Sequence, residues 1–199
     1  MEPDAMAQSC GRSRTAAHRT PVPAGSQWRR PSWLAGTLAQ PDRTAAQEFW
    51  SRADEPELLA PILDNTAALW KAIKAPADCF LHGDCHTDNI LIDDNELVWT
   101  DWQGAGAGNP SVELAFPSIR ATPAGAVLPQ AEMIRRYALT RGLDENELSR
   151  AVLAAELSIF LFVWPEYARY NTEVGIDRVH ERVQDLARRW LSVCSIVSK

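Results

Sequence analysis

Lysine is scarce in this chain: of 20 basic residues only Lys71, Lys74 and Lys199 are lysines. The arginines are scattered among 26 acidic residues, giving a net charge of -6, so no basic face forms and nucleic acid is not expected as a partner. Long apolar runs are missing too. The longest, residues 159–164, is followed at once by Pro165 and falls far short of the ~20 residues that span a bilayer, so no membrane partner is expected. Cysteines 10, 79, 85 and 194 form no CxxC pair and no His/Cys cluster of the kind a zinc site needs. They read as reduced thiols of a cytoplasmic protein. Arg12, Arg14 and Arg19 near the start are not followed by the apolar core of a secretion signal, and Glu2 and Asp4 argue against a transit peptide.

What is present suffices for one folded domain: 199 residues, 46% of them apolar. Residues 1–31 are polar and rich in Arg, Ser and Pro without periodicity, and are expected to be a disordered tail. The domain is then residues 32–199. Thr44 with Gln47 reads as a capping box for a short helix, and Pro56 as the first turn of a second helix in which Leu58, Ile62, Leu69 and Ile73 share a face. Apolar residues 90–92, the polar Asp93-Asp94-Asn95 and apolar residues 97–99 predict a β-hairpin. Residues 104–108 read as a flexible glycine-rich connection, because they lack the Lys-Ser/Thr ending of a phosphate loop. Asn109-Pro110 opens a helix through Leu114 and Phe116; residues 132–140 form another, closed by Gly142. Asp144 with Glu147 caps a long apolar helix running from Leu148 toward Tyr170, and Asp177 is the expected cap of the last helix. The fold class is α+β, mainly helical, with a small hairpin whose loops are set into the helices.

Chemistry concentrates in Leu81-His82-Gly83-Asp84-Cys85-His86-Thr87-Asp88-Asn89, followed a dozen residues on by Asp101-Trp102. Phosphoryl transfer needs one carboxylate to take or orient the acceptor's hydroxyl proton, and an amide oxygen with a second carboxylate to hold Mg²⁺. Asp84, Asn89 and Asp101 are of the right types, and the hairpin returns Asp101 toward the loop. Asp93 and Asp94 read only as a solvated turn. His180 reads as a helix-surface residue and His18 as part of the tail. Trp164, Glu166 and Tyr167 are candidates for an acceptor pocket, since aromatic and acidic groups attract cations, but an aromatic stripe on a long helix is more often core, and core is the favoured reading.

With those residues in view, His82-Gly83-Asp84 and Asn89 resemble the catalytic loop of the aminoglycoside phosphotransferase and choline kinase-like family. Asp101-Trp102, Gly108-Asn109-Pro110 and Glu113-Leu114-Ala115 are similar to its metal-binding segment and the helix after it. The resemblance spans about residues 38–191 and implies the C-terminal lobe of a protein-kinase-like fold. It makes Asp84 the catalytic aspartate, Asn89 and Asp101 magnesium ligands, His82 and Gly83 structural parts of the loop, and His86 a supporting residue. ATP and Mg²⁺ are the implied cofactors, and a hydroxyl on an aminoglycoside-, choline- or sugar-like small molecule the implied acceptor; substrate-binding residues and oligomeric state are left open. The family also carries an N-terminal ATP lobe with a phosphate-binding lysine. No lysine here follows a glycine-rich strand turn, and the space before the loop is short, so that lobe is expected to be missing, through truncation or a misassigned start. An inactive remnant serving as a binding or regulatory module is therefore the alternative function, and a plain helical interaction protein a third. If residues 1–31 are a tail, deleting them leaves the thermal unfolding midpoint almost unchanged; a fall of many degrees would make them a packed part of the domain.

Overall fold

The computed structural model describes residue 31 and residues 33–74, 76 and 78–197. The tail expected over residues 1–31 lies outside them, with His18 and Cys10, except for Pro31, which bridges Ala107. In chain order the helices are α1 (Trp33–Ala39), α2 (Arg43–Trp50), α3 (Pro56–Asp64), α4 (Ala67–Ile73), α5 (Pro110–Ala115), α6 (Pro117–Ala124), α7 (Gln130–Arg141), α8 (Glu145–Phe162) and α9 (Glu173–Val197). The strands are β1 (Cys79–Leu81), β2 (Ile90–Asp93), β3 (Glu96–Trp99) and β4 (Gly106–Gly108). The fold is mainly helical with two small antiparallel sheets, β1 with β4 and β2 with β3.

Helix α8 is the axis. Every residue from 151 to 162 is buried, and α4, α5, α7 and α9 pack around it. Asp144 caps it as expected, its carboxylate accepting from the Glu147 N–H at 2.7 Å. Its other end is set by Pro165. The carbonyl of Leu161 would normally accept from residue 165, and proline has no N–H to give. The indole N–H of buried Trp50 donates to that carbonyl instead, at 3.1 Å, which pins α2 onto the end of α8. The chain then continues as a 3₁₀ turn, Trp164–Tyr170, so the helix expected to run toward Tyr170 stops at Phe162. Among the described residues no single helix is long and apolar enough to cross a membrane.

Several local expectations are corrected. The cap of α2 is Asp42, whose carboxylate accepts from the Ala45 N–H at 2.9 Å, while Thr44 lies inside the helix. The second helix is two helices. Asn65 leaves helical geometry, because the α3 stripe packs on α2 and α9 whereas the α4 stripe packs on α8, and one straight helix cannot face both. Asp177 lies within α9, which starts four residues earlier and is capped by Thr172, its hydroxyl accepting from the Gly175 N–H at 3.2 Å. Residues 106–108 are strand β4, with Gly106 and Gly108 buried against β1, so most of the glycine-rich run is paired backbone and not a flexible connection. His180 is half-buried, its ring 5.3 Å from that of Trp50.

The β2–β3 hairpin has the expected register, Ile90 opposite Trp99, and turns through Asp94 and Asn95 with φ of 45° and 67°. Asp and Asn tolerate that left-handed geometry, which a two-residue hairpin turn requires. The strands themselves are exposed, Ile92 at 77%, so the hairpin stands on the helical body and only its base is set into it. On the far side, buried Glu156 of α8 accepts from Arg182 of α9 at 2.9 Å and from Gln130 of α7 at 2.8 Å, locking three helices together.

Replacing Trp50 with Phe removes the donor for the Leu161 carbonyl and some core volume. It should destabilise the fold by about 2–4 kcal/mol in urea unfolding. A change below about 1 kcal/mol would mean that this carbonyl is satisfied without the indole.

Candidate active site

Loop residues 82–89 leave β1, and two of their backbone donors are held by one side chain. The Glu113 carboxylate accepts from the N–H of His82 at 3.0 Å and from that of Gly83 at 3.2 Å. Glu113 stands near the start of α5, where Asn109 is the cap and Pro110 the first residue, so a short helix aims this carboxylate at the end of β1. Burial, the dominant influence, raises the Glu113 carboxyl above its ordinary value despite those two donors. Its neighbour Cys85 is buried and its thiol is pushed up to about 12, chiefly by burial and then by Glu113 and Asp84. Cys85 thus stays a neutral thiol, unsuited to nucleophilic work.

Gly83 has φ of 83°, a conformation in which a side chain is strained, and the chain there turns back sharply. His82 is buried. Its Nδ1 accepts from the Asp84 N–H at 3.3 Å, which leaves the proton on Nε2 to donate to the Thr100 carbonyl at 2.6 Å. Its ring lies between those of Trp102 at 4.6 Å and Trp99 at 5.8 Å. Thr100 in turn donates its N–H and its hydroxyl to the Asn89 carbonyl, at 2.9 and 3.2 Å. Gly104 closes the fit: a Cβ there would stand 3.3 Å from the Gly83 carbonyl carbon and 3.6 Å from Asp84 Cβ. Loop 82–89 and segment 100–104 therefore lie against one another.

Within this frame the Asn89 amide nitrogen donates to the Asp84 carbonyl at 2.9 Å and to its Oδ2 at 3.2 Å. The amide oxygen of Asn89 is thereby turned away, a hard donor of the kind Mg²⁺ prefers. His86 Nδ1 accepts from the Asp88 N–H at 3.3 Å, so the protonated Nε2 faces Asp84 Oδ1, 3.5 Å away. Asp101 adopts φ 57°, ψ 61° ahead of a 3₁₀ turn (Trp102–Gly104), and its carboxylate accepts from Gln103 at 3.4 Å. Asp tolerates that left-handed geometry here as Asp94 does in the hairpin turn. By donor chemistry the Asn89 oxygen and the Asp101 carboxylate fit Mg²⁺, although among the described residues no group of three His, Cys, Asp or Glu side chains is gathered to hold a metal.

A cavity of about 1160 Å³ opens in front of Asp84, a size that suits a small-molecule ligand. Gly83, Asp84, His86 and Gln103 form one wall; Asn89 and Asp101 do not reach it. The remaining lining comes from α6 and the segment after it, the 3₁₀ turn, and residues at and near the start of α9. The aromatic stripe divides here: Trp164 is core with one edge on the cavity, Tyr167 stands at the cavity, and Glu166 is outside it. Burial, then the charges of Glu166 and Asp84, raise the Tyr167 hydroxyl. Lys71 and Lys74, exposed around the end of α4, do not line the cavity.

Three further residues shape the site. Glu113 looks locally like an ordinary dipole-complementing charge in a helix's first turn. Arg120 pairs with Asp88 at 3.0 Å and holds its carboxyl below the usual range; Arg178 reaches the cavity from α9. Neither carries a local sequence signal.

The raised Glu113 carboxyl predicts a pH effect. Between the unfolded value near 4.5 and the higher folded value the native state binds more protons, so this group's contribution to stability falls as pH rises through that window. The stability difference between the native chain and Glu113→Gln should drift in that sense and then level off. A pH-independent difference would remove the buried charge from the account.

No curated protein matches the chain. The phosphotransferase enzyme family matches residues 1–170, a span that holds the whole of loop 82–89, segment 100–104 and Glu113. That match agrees with the aminoglycoside phosphotransferase resemblance of the loop, and the chain belongs to the phosphotransferase enzyme family.

Proposed function

We propose that the protein transfers the γ-phosphoryl group of ATP to a hydroxyl of a small molecule, as the catalytic C-terminal lobe of a kinase-like fold. The observation that carries this reading is the placement of the Asp84 carboxylate. It is about one-third exposed, lines the cavity, and is held by Asn89 and His86 on its other side. A hydroxyl bound in the cavity can give its proton to Asp84 as its oxygen bonds to the phosphorus. The bond to the bridging oxygen breaks, and ADP leaves with the electron pair. Asn89 and Asp101 would hold Mg²⁺, which when bound offsets charge on the phosphate oxygens. His82 and Glu113 position the loop; His86 orients Asp84.

One observation favours a second reading, a non-catalytic binding module: Asp84 lines the cavity while Asn89 and Asp101 do not. Calorimetry with Mg-ATP and a transfer assay across hydroxylated small molecules separate the two. If the first reading holds, Asp84→Ala lowers transfer by about 10²–10⁴-fold, and Asp101→Ala also abolishes transfer or leaves a residual activity that needs more Mg²⁺. Nucleotide binding with no transfer above the Asp84→Ala control would favour the binding module. Transfer indifferent to both substitutions would sink the kinase reading.

A further inference from the structure

The charges lining the cavity are unequally committed. Asp88 is paired with Arg120 at 3.0 Å, and His86 is engaged by Asp84 and the Asp88 N–H. Asp84 is the carboxylate left to meet a ligand. Arg178, carried by α9 and exposed, is a cation of the same lining. It has no carboxylate within ion-pair distance among the described residues, although Asp177 precedes it and Glu181 is three residues on. One of its five N–H donors goes to the Pro123 carbonyl at the end of α6, at 3.1 Å, which leaves the others unspent.

The position of Arg178 is built into the fold. Gly125, at φ 75°, ends α6 beneath the guanidinium, and a Cβ there would stand 2.8 Å from Arg178 Cζ. A side chain at 125 would push the guanidinium aside. The Glu156–Arg182 lock one turn further along α9 fixes the helix that carries it. The same cavity is also lined by the apolar and aromatic Phe116, Ile119, Leu128 and Tyr167.

From this arrangement we infer that the acceptor is a hydroxylated organic anion with an apolar middle, its hydroxyl at Asp84 and its anionic group at Arg178. An aminoglycoside polycation is disfavoured: it would find one lining carboxylate without an arginine partner, itself held by Asn89 and His86, and would meet Arg178 and Arg120. The inference rests on the phosphotransferase reading only in naming the ligand an acceptor; the preference for an anion is read by binding alone.

Calorimetry of the full chain tests it with 4-(hydroxymethyl)benzoate, its neutral isostere 4-(hydroxymethyl)benzamide, and kanamycin. The benzoate should bind about fivefold more tightly than the amide, the upper end for a solvent-reachable ion pair, and more tightly than kanamycin. Arg178→Gln should remove that preference and Arg178→Lys should keep most of it. Gly125→Ala should weaken it while the guanidinium is still present. Thermal melts identify any variant that fails to fold, and the comparison of the three ligands on the native chain stands without the variants. Equal binding of benzoate and amide, no binding of either, tighter binding of kanamycin, or a preference unchanged in a folded Arg178→Gln chain would each overturn the inference. A retained anion preference with no transfer from ATP to any hydroxyl would instead strike at the phosphotransferase reading and leave the anion site in place.

Discussion

Two backbone donors, the N–H groups of His82 and Gly83, lie just past the three-residue strand β1, where no ladder partner continues. The Glu113 carboxylate accepts both. That single half-buried group sets where the loop starts, and Gly83 then turns the chain so that Asp84 lines the cavity. The carboxylate is costly to bury, which is why its proton affinity is raised, yet leaving two buried N–H groups unpaired would cost about 1–3 kcal/mol each. The anchor also explains the order of the surrounding parts. Glu113 sits on α5, α5 packs on α8, and α8 is the best-buried helix of the fold. Asp84 is thus tied, through Glu113 and α5, to the best-buried helix of the fold.

A second set of bonds joins the loop to the hairpin base. His82 reaches the Thr100 carbonyl, Thr100 reaches the Asn89 carbonyl, and the Asn89 amide reaches Asp84. The chain carrying Asp101 is brought alongside the loop without relying on the exposed outer part of the hairpin. Under the proposed function, chemistry and recognition are divided between different elements: residues 82–104 supply the carboxylate at the cavity, while α6, the 3₁₀ turn and α9 supply the rest of its lining. In such an arrangement the walls can change while the loop keeps its shape, which is why membership of the family does not name an acceptor.

Much of this was legible because its causes are local. Apolar residues on either side of Asp93-Asp94-Asn95 prescribe the hairpin, Asn109-Pro110 prescribes the start of α5, and Gly142 with Asp144 separates α7 from α8. The loop residues could be picked out for the same reason: their types and spacing are a chemical pattern in one short stretch. What escaped is set by distant contacts. Gly106 and Gly108 carry no alternation that marks a strand, and β4 exists because β1 lies beside it. Asp42 and Thr44 are equally eligible caps, and only the path of the preceding chain selects Asp42. Glu113 looks like any acidic residue in a first helical turn until β1 is brought to it, and Arg178 is one of many arginines until α6 ends beneath it.

The proposed phosphoryl transfer requires Asn89 and Asp101 to present oxygen to a metal. Mn²⁺ replaces Mg²⁺ in oxygen sites and broadens the NMR signals of nearby nuclei, so titrating Mn²⁺ and ADP into the ¹⁵N-labelled chain locates the ion directly. Selective broadening of the Asn89 side-chain amide and of the backbone amides of residues 84 and 100–104 is the predicted result. Broadening centred elsewhere, with those signals left sharp, would contradict it.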